Sequence, residues 1–123
     1  MKLTTLFVMA ALILPGAALA HAPKKGPHGG PQTDAGSFHV EIVPEGSALA
    51  VYLRDHSDKA FPSAGFKGTA IFLIDGKPTR IPLSPDGDNK LTGNAPAALP
   101  DAPKGAVQLV TPKGETVQAK FDH

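Results

Sequence analysis

The side chains with the clearest chemical potential are five histidines, His21, His28, His39, His56 and His123, in a chain without cysteine. The two methionines, Met1 and Met9, fall among the first ten residues. Imidazole nitrogen suits Cu(II) and Zn(II), whereas soft Cu(I) prefers thiolate and thioether ligands. A ligating imidazole must be neutral, so an ion held this way is released on acidification. The lack of Cys also excludes disulfide frameworks, Fe–S clusters, thiolate zinc sites and cysteine nucleophiles.

Each histidine has its own local context. His28 opens the triplet His28-Gly29-Gly30. The ring nitrogen and the following amide nitrogens of such a triplet can wrap Cu(II), because glycine imposes no steric bar. Pro31 ends the run, having no N–H. The alternative is a linker that contains a histidine. His39 falls two residues before Glu41, on what alternation makes the solvent face of a strand. Pairing across a turn at 44–47 places it beside Tyr52, either as a ligand joining His28 or as half of a cross-strand aromatic pair. His56 lies in Asp55-His56-Ser57-Asp58, where two carboxylates flank an imidazole that can bind Zn(II) or Cu(II). The same residues suit an Asx-type turn. His21 becomes a chelating terminus if a signal segment is cleaved just before it, since a free α-amine and Nδ1 can close a ring on Cu(II). The order of preference as metal ligands is His28, His39, His56, His21; His123 is given no ligand role.

Other chemistry finds little purchase. There is no G-x-S-x-G, H-E-x-x-H, P-loop or dinucleotide-binding glycine motif. Asp86-Gly87-Asp88-Asn89 lacks the spacing and closing Glu of an EF-hand and reads as a turn. With 12 Lys+Arg against 11 Asp+Glu, the chain has no basic footprint for nucleic acid. The expectation is a binding protein rather than an enzyme.

The elements that must position these histidines follow from the rest of the 123 residues. Lys2, the apolar run Leu6–Leu14, the Pro15-Gly16 break and Ala18-Leu19-Ala20 have the form of a secretory signal peptide over residues 1–20. The apolar run is too short to cross a bilayer core of about 30 Å. The expected mature protein is therefore exported, periplasmic and without a membrane span. Removing Lys2 balances the remaining charges. Residues 21–36, rich in Gly and Pro and without periodicity, read as a flexible arm. Residues 37–123 read as one β domain of about seven short strands between turn signals. These are 37–43, 48–54, 69–74, 79–83, 90–92, 106–110 and 116–121. The expected architecture is all-β: an antiparallel immunoglobulin-like β-sandwich, with a small barrel as second choice.

Several of these segments look familiar. His28-Gly29-Gly30, Phe38 to Val43, Leu49 to His56, Ile81 to Gly93 and Val117 to Phe121 together resemble small exported proteins of bacterial metal-resistance loci. They are also similar to a domain near the N-terminus of heavy-metal efflux periplasmic adaptor subunits of the RND type. The resemblance covers roughly residues 28–121. It implies a periplasmic β-sandwich tied to copper, silver or zinc handling, with His28, His39 and His56 as the residues of interest. The hairpin and lipoyl-like parts of a full adaptor are not in this chain, and the lack of methionine beyond Met9 departs from periplasmic Cu(I) chaperones.

The functional expectation is a periplasmic protein that buffers or delivers Cu(II) or Zn(II) through histidine, with an efflux adaptor as a candidate partner. The alternative is a metal-free β-sandwich module that docks on an envelope or efflux-pump protein. Three imidazoles converging within about 5 Å of one point favour the first, on the bond lengths of zinc and copper sites. Dispersed rings favour the second.

Overall fold

A computed structural model describes residues 24–122. His21, the expected signal segment and His123 lie outside the described residues. Among the described residues, nine antiparallel strands form one hydrogen-bonded order, β1-β2-β3-β4-β7-β6-β5-β8-β9. They are β1 (Lys24–Lys25), β2 (Pro31–Ala35), β3 (Phe38–Glu45), β4 (Ala48–Asp55), β5 (Lys67–Ile74), β6 (Lys77–Pro85), β7 (Lys90–Asn94), β8 (Gly105–Val110) and β9 (Thr116–Phe121). Among the described residues there is no helix, and none long and apolar enough to cross a membrane.

The all-β antiparallel class holds, and each of the seven expected strands has a counterpart. The finer picture of a seven-stranded immunoglobulin-like sandwich does not. Strand β6 pairs with β5 from Lys77 to Leu83, then passes to β7 through Ser84↔Thr92 and Pro85↔Leu91. That handover joins the two halves into one curled sheet, and β2 and β9 approach each other across its open side. The result is a half-barrel. The two additional strands come from the segment read as an arm: Lys24 and Lys25 pair with Gln32 and Pro31, and Gln32–Ala35 pair with Phe38–Glu41. Gly and Pro content hides these strands, because their pairing is set by polar side chains described below rather than by an apolar alternation.

The concave side is filled by alternate residues. Val40 and Ile42 of β3 meet Leu49, Val51 and Leu53 of β4, and Phe72, Ile81, Leu91, Leu109 and Phe121 complete the core. Each large side chain buried this way contributes about 1.5–3 kcal/mol. Asp75-Gly76 closes the β5–β6 hairpin with positive φ at both positions, 52° and 77°, the type I′ pattern. Phe38, Phe61 and Phe66 pack edge to face at one end of the core.

The β3–β4 hairpin is tighter than expected. Its loop is the pair Gly46-Ser47, with Glu45 opposite Ala48 and Pro44 opposite Leu49. Pro44 can stay in β3 because β2 stops pairing at Glu41, so no ladder bond is asked of its missing N–H. This two-residue loop shifts the register by two from the 44–47 turn. His39 therefore lies opposite Arg54, not beside Tyr52, and Glu41 takes the place opposite Tyr52.

Candidate functional site

The convex face of β2, β3 and β4 carries two rows of polar side chains. Register places Asp34, His39 and Arg54 in one row and Gln32, Glu41 and Tyr52 in the next. Strand alternation puts all six on the side opposite the core. Both rows receive a residue from a loop.

The second row is capped by the 26–30 turn. Glu41, though on the convex face, is fully buried. Its Oε2 accepts the backbone N–H of His28 and of Gly30, each at 2.9 Å. Its Oε1 accepts from His28 Nδ1 at 2.9 Å. The His28 ring lies flat on Tyr52, with centroids 3.7 Å apart and planes 13° from parallel. Lys90 Nζ, from β7, sits 6.0 Å from the Tyr52 ring centroid. A buried carboxylate needs its lone pairs filled, and here one turn fills them. Gly30 makes this possible: a Cβ there would run into the carbonyl oxygen of Ile42.

This arrangement revises how His28 can bind an ion. The amides of His28 and Gly30 donate to Glu41, and that of Gly29 donates to the Gly26 carbonyl at 2.9 Å. A chelate through the two amides that follow His28, those of Gly29 and Gly30, would break both of their bonds. What remains is the ring Nε2, on a side chain 44% exposed.

The first row is capped by the 55–59 loop. His39 Nδ1 faces Asp34 Oδ1 at 2.6 Å, and its Nε2 faces Asp58 Oδ1 at 3.7 Å. Arg54 Nη1 donates to the same Asp58 oxygen at 3.1 Å. Arg54 Nη2 donates to Gln32 Oε1, which links the two rows. Asp58 has φ 66°, a left-handed conformation that Asp tolerates better than most residues.

His28 and His39 thus share one construction. Each has a carboxylate on Nδ1, which leaves Nε2 as the lone-pair nitrogen of the neutral ring. Metal-ligating histidines are commonly oriented in this way by a carboxylate behind them. Two donors at Zn–N and Zn–O bond lengths and a tetrahedral angle stand about 3.3 Å apart. The 3.7 Å between His39 Nε2 and Asp58 Oδ1 is close to that bite. This pair therefore has the spacing of a two-donor seat, and His28 lies on the same face without joining it in a group of three.

His56 is placed elsewhere. It lines a hollow of about 510 Å³ with Phe38, Phe61, Phe66 and Pro112. Asp55 beside it builds the Asx-type turn: its Oδ1 accepts the N–H of Ser57 at 2.8 Å and of Lys59 at 3.0 Å. The Lys59 N–H above all, then that of Ser57, with the nearby His56 and Lys59 charges, holds the Asp55 carboxyl below its ordinary value despite partial desolvation.

Of the four expected ligands, the structure brings His28 and His39 to one face, leaves His56 apart, and does not describe His21. Among the described residues no three His, Asp or Glu side chains converge into a metal-holding group. Sequence reading missed Asp34 and Arg54 as partners of His39 and Glu41 as the partner of His28, and it gave Tyr52 to His39 rather than to His28. The alternation of β3 already puts His39 and Glu41 on one face, and only the correct hairpin register adds Tyr52 and Arg54.

No protein-family model matches the chain, and no curated protein and no solved structure matches it.

Proposed function

We propose that this chain binds a divalent transition-metal ion, Cu(II) or Zn(II), on the convex face of β2, β3 and β4. His39 Nε2 and Asp58 Oδ1 form the seat, and His28 Nε2 is the neighbouring donor. The observation that carries this reading is the line Asp34–His39–Asp58, a carboxylate behind the imidazole and another in front of it. Water or a partner's side chain completes the coordination. A seat with few protein donors suits an ion that is buffered or passed on, rather than one locked in place. The role is one of binding, not catalysis.

On this reading the protein works in the periplasm, in heavy-metal resistance or efflux, and an efflux adaptor is the partner to which an ion would pass. The export signature of residues 1–20 and the resemblance over residues 28–121 support that setting. Calorimetric titration of the full chain with Zn(II) tests the seat. The parent binds with a dissociation constant of about 1–100 μM. His39→Ala weakens binding at least about tenfold, the scale on which even outer-shell changes act. Undetectable binding by the parent contradicts the proposal.

One observation favours the second reading, a metal-free module docking on an envelope or efflux-pump protein. The histidines do not gather into a group of three among the described residues. The same titration separates the two, because that module binds no ion.

A further inference from the structure

Asp58 Oδ1 faces two partners at once, His39 Nε2 at 3.7 Å and Arg54 Nη1 at 3.1 Å. Arg54 lies directly opposite His39 in the β3–β4 ladder. Its side chain is 12% exposed, so its charge is only partly screened by water. The guanidinium is also held from the other side, since Nη2 donates to Gln32 Oε1. Its Nε is buried without a hydrogen-bond partner.

We infer that Arg54 is a built-in competitor for Asp58, an internal cation that sets how loosely the proposed seat holds its ion. The inference rests on the metal-binding reading of that seat. With no ion bound, the guanidinium balances the Asp58 carboxylate beside His39. When a divalent ion arrives between His39 Nε2 and Asp58 Oδ1, its charge stands a few ångströms from the guanidinium. The two cations repel, and the repulsion is stronger at a partly buried site than in water. Arg54 Nη1 must give up Asp58, and the ion is held less tightly than the bare His–Asp pair would hold it.

The Asp58 backbone does not depend on Arg54 for its position. It is fixed by the 55–58 turn, where its N–H donates to the Asp55 carbonyl at 2.9 Å. Removing the guanidinium charge therefore leaves the Asp58 backbone in place and its exposed carboxylate free to turn to the ion. The device explains why an arginine sits where a neutral residue would make a tighter site. It favours exchange over sequestration.

The test compares Zn(II) affinity for the full chain carrying Arg54→Gln or Arg54→Lys with that of the parent. Arg54→Gln raises the affinity about tenfold, whereas Arg54→Lys, which keeps the charge, stays near the parent. A second measurement needs no variant. In the parent, the Arg54 Nε–H resonance moves on addition of Zn(II) and saturates with the binding curve, because the guanidinium leaves Asp58. Equal affinities for parent and Arg54→Gln, or an unmoved Nε–H while Zn(II) binds, overturn the role of Arg54 and leave the seat standing. Binding by Arg54→Gln alone contradicts the proposed function of the parent and, with it, the tuning role of Arg54. No binding by either protein removes both proposals. Should Arg54→Gln fail to fold, the parent's Nε–H response decides.

Discussion

His28 and Glu41 are joined twice: the backbone N–H of His28 donates to Glu41 Oε2, and the ring Nδ1 meets Oε1, both at 2.9 Å. Residues 13 apart in sequence thereby fasten the 26–30 turn onto the convex face of β3. The contact does two things. It satisfies a fully buried carboxylate, and it orients an imidazole so that Nε2 is the nitrogen left to bind.

Glu41→Ala should unfasten this turn. It leaves the N–H groups of His28 and Gly30 without their acceptor and opens a cavity under the turn. The expected loss is about 2–4 kcal/mol, read from the urea midpoint. Glu41→Gln keeps an acceptor oxygen and should cost about half as much, on the difference between charged and neutral hydrogen bonds.

Gly30→Ala should act on the same turn without touching a charge. Its Cβ would meet the Ile42 carbonyl, so β1 and the turn must lift from β3. The expected cost is about 1–3 kcal/mol, the usual range for overpacking at a tight contact. Amide exchange checks it: Lys24–Ala35 should lose protection while β5, β8 and β9 keep theirs.

These two positions also show what was legible beforehand. The β-rich class, the seven strands of residues 37–121 and the turn at Asp75-Gly76 are all carried by apolar alternation and turn residues. Residues 24–35 carry no such alternation. Their pairing depends on Glu41 accepting backbone N–H groups, which no periodicity reports. The register of β3 and β4 escaped for a different reason: Pro44 and Glu45 look like turn residues, yet the chain turns at Gly46-Ser47. One two-residue shift moved Tyr52 from His39 to Glu41, and with it the whole neighbourhood of both candidate ligands. The ligand types were readable from the sequence; their partners required the register.

Asp55 should set an acid-sensitive step in the 55–59 loop. Its carboxyl is held below the ordinary 3.8 chiefly by the Lys59 N–H, then by that of Ser57. A depressed carboxyl stabilises the fold above its unfolded-state value, and that contribution is lost as pH falls through the lowered value. Carbon-detected titration should give Asp55 a midpoint below 3.8, and Asp55→Asn should flatten this part of the acid-unfolding profile. A midpoint at or above 3.8 would mean that the turn bonds do not favour the charged form.

The most direct test of the metal seat is to watch the imidazole nitrogens themselves. Zn(II) added to the ¹⁵N-labelled full chain should move His39 Nε2 far more than His39 Nδ1, which stays on Asp34. His28 Nε2 should follow as the neighbouring donor, and His56 should remain unmoved. If His39 Nε2 does not respond while the chain is saturated with Zn(II), the seat between His39 and Asp58 is not where the ion binds.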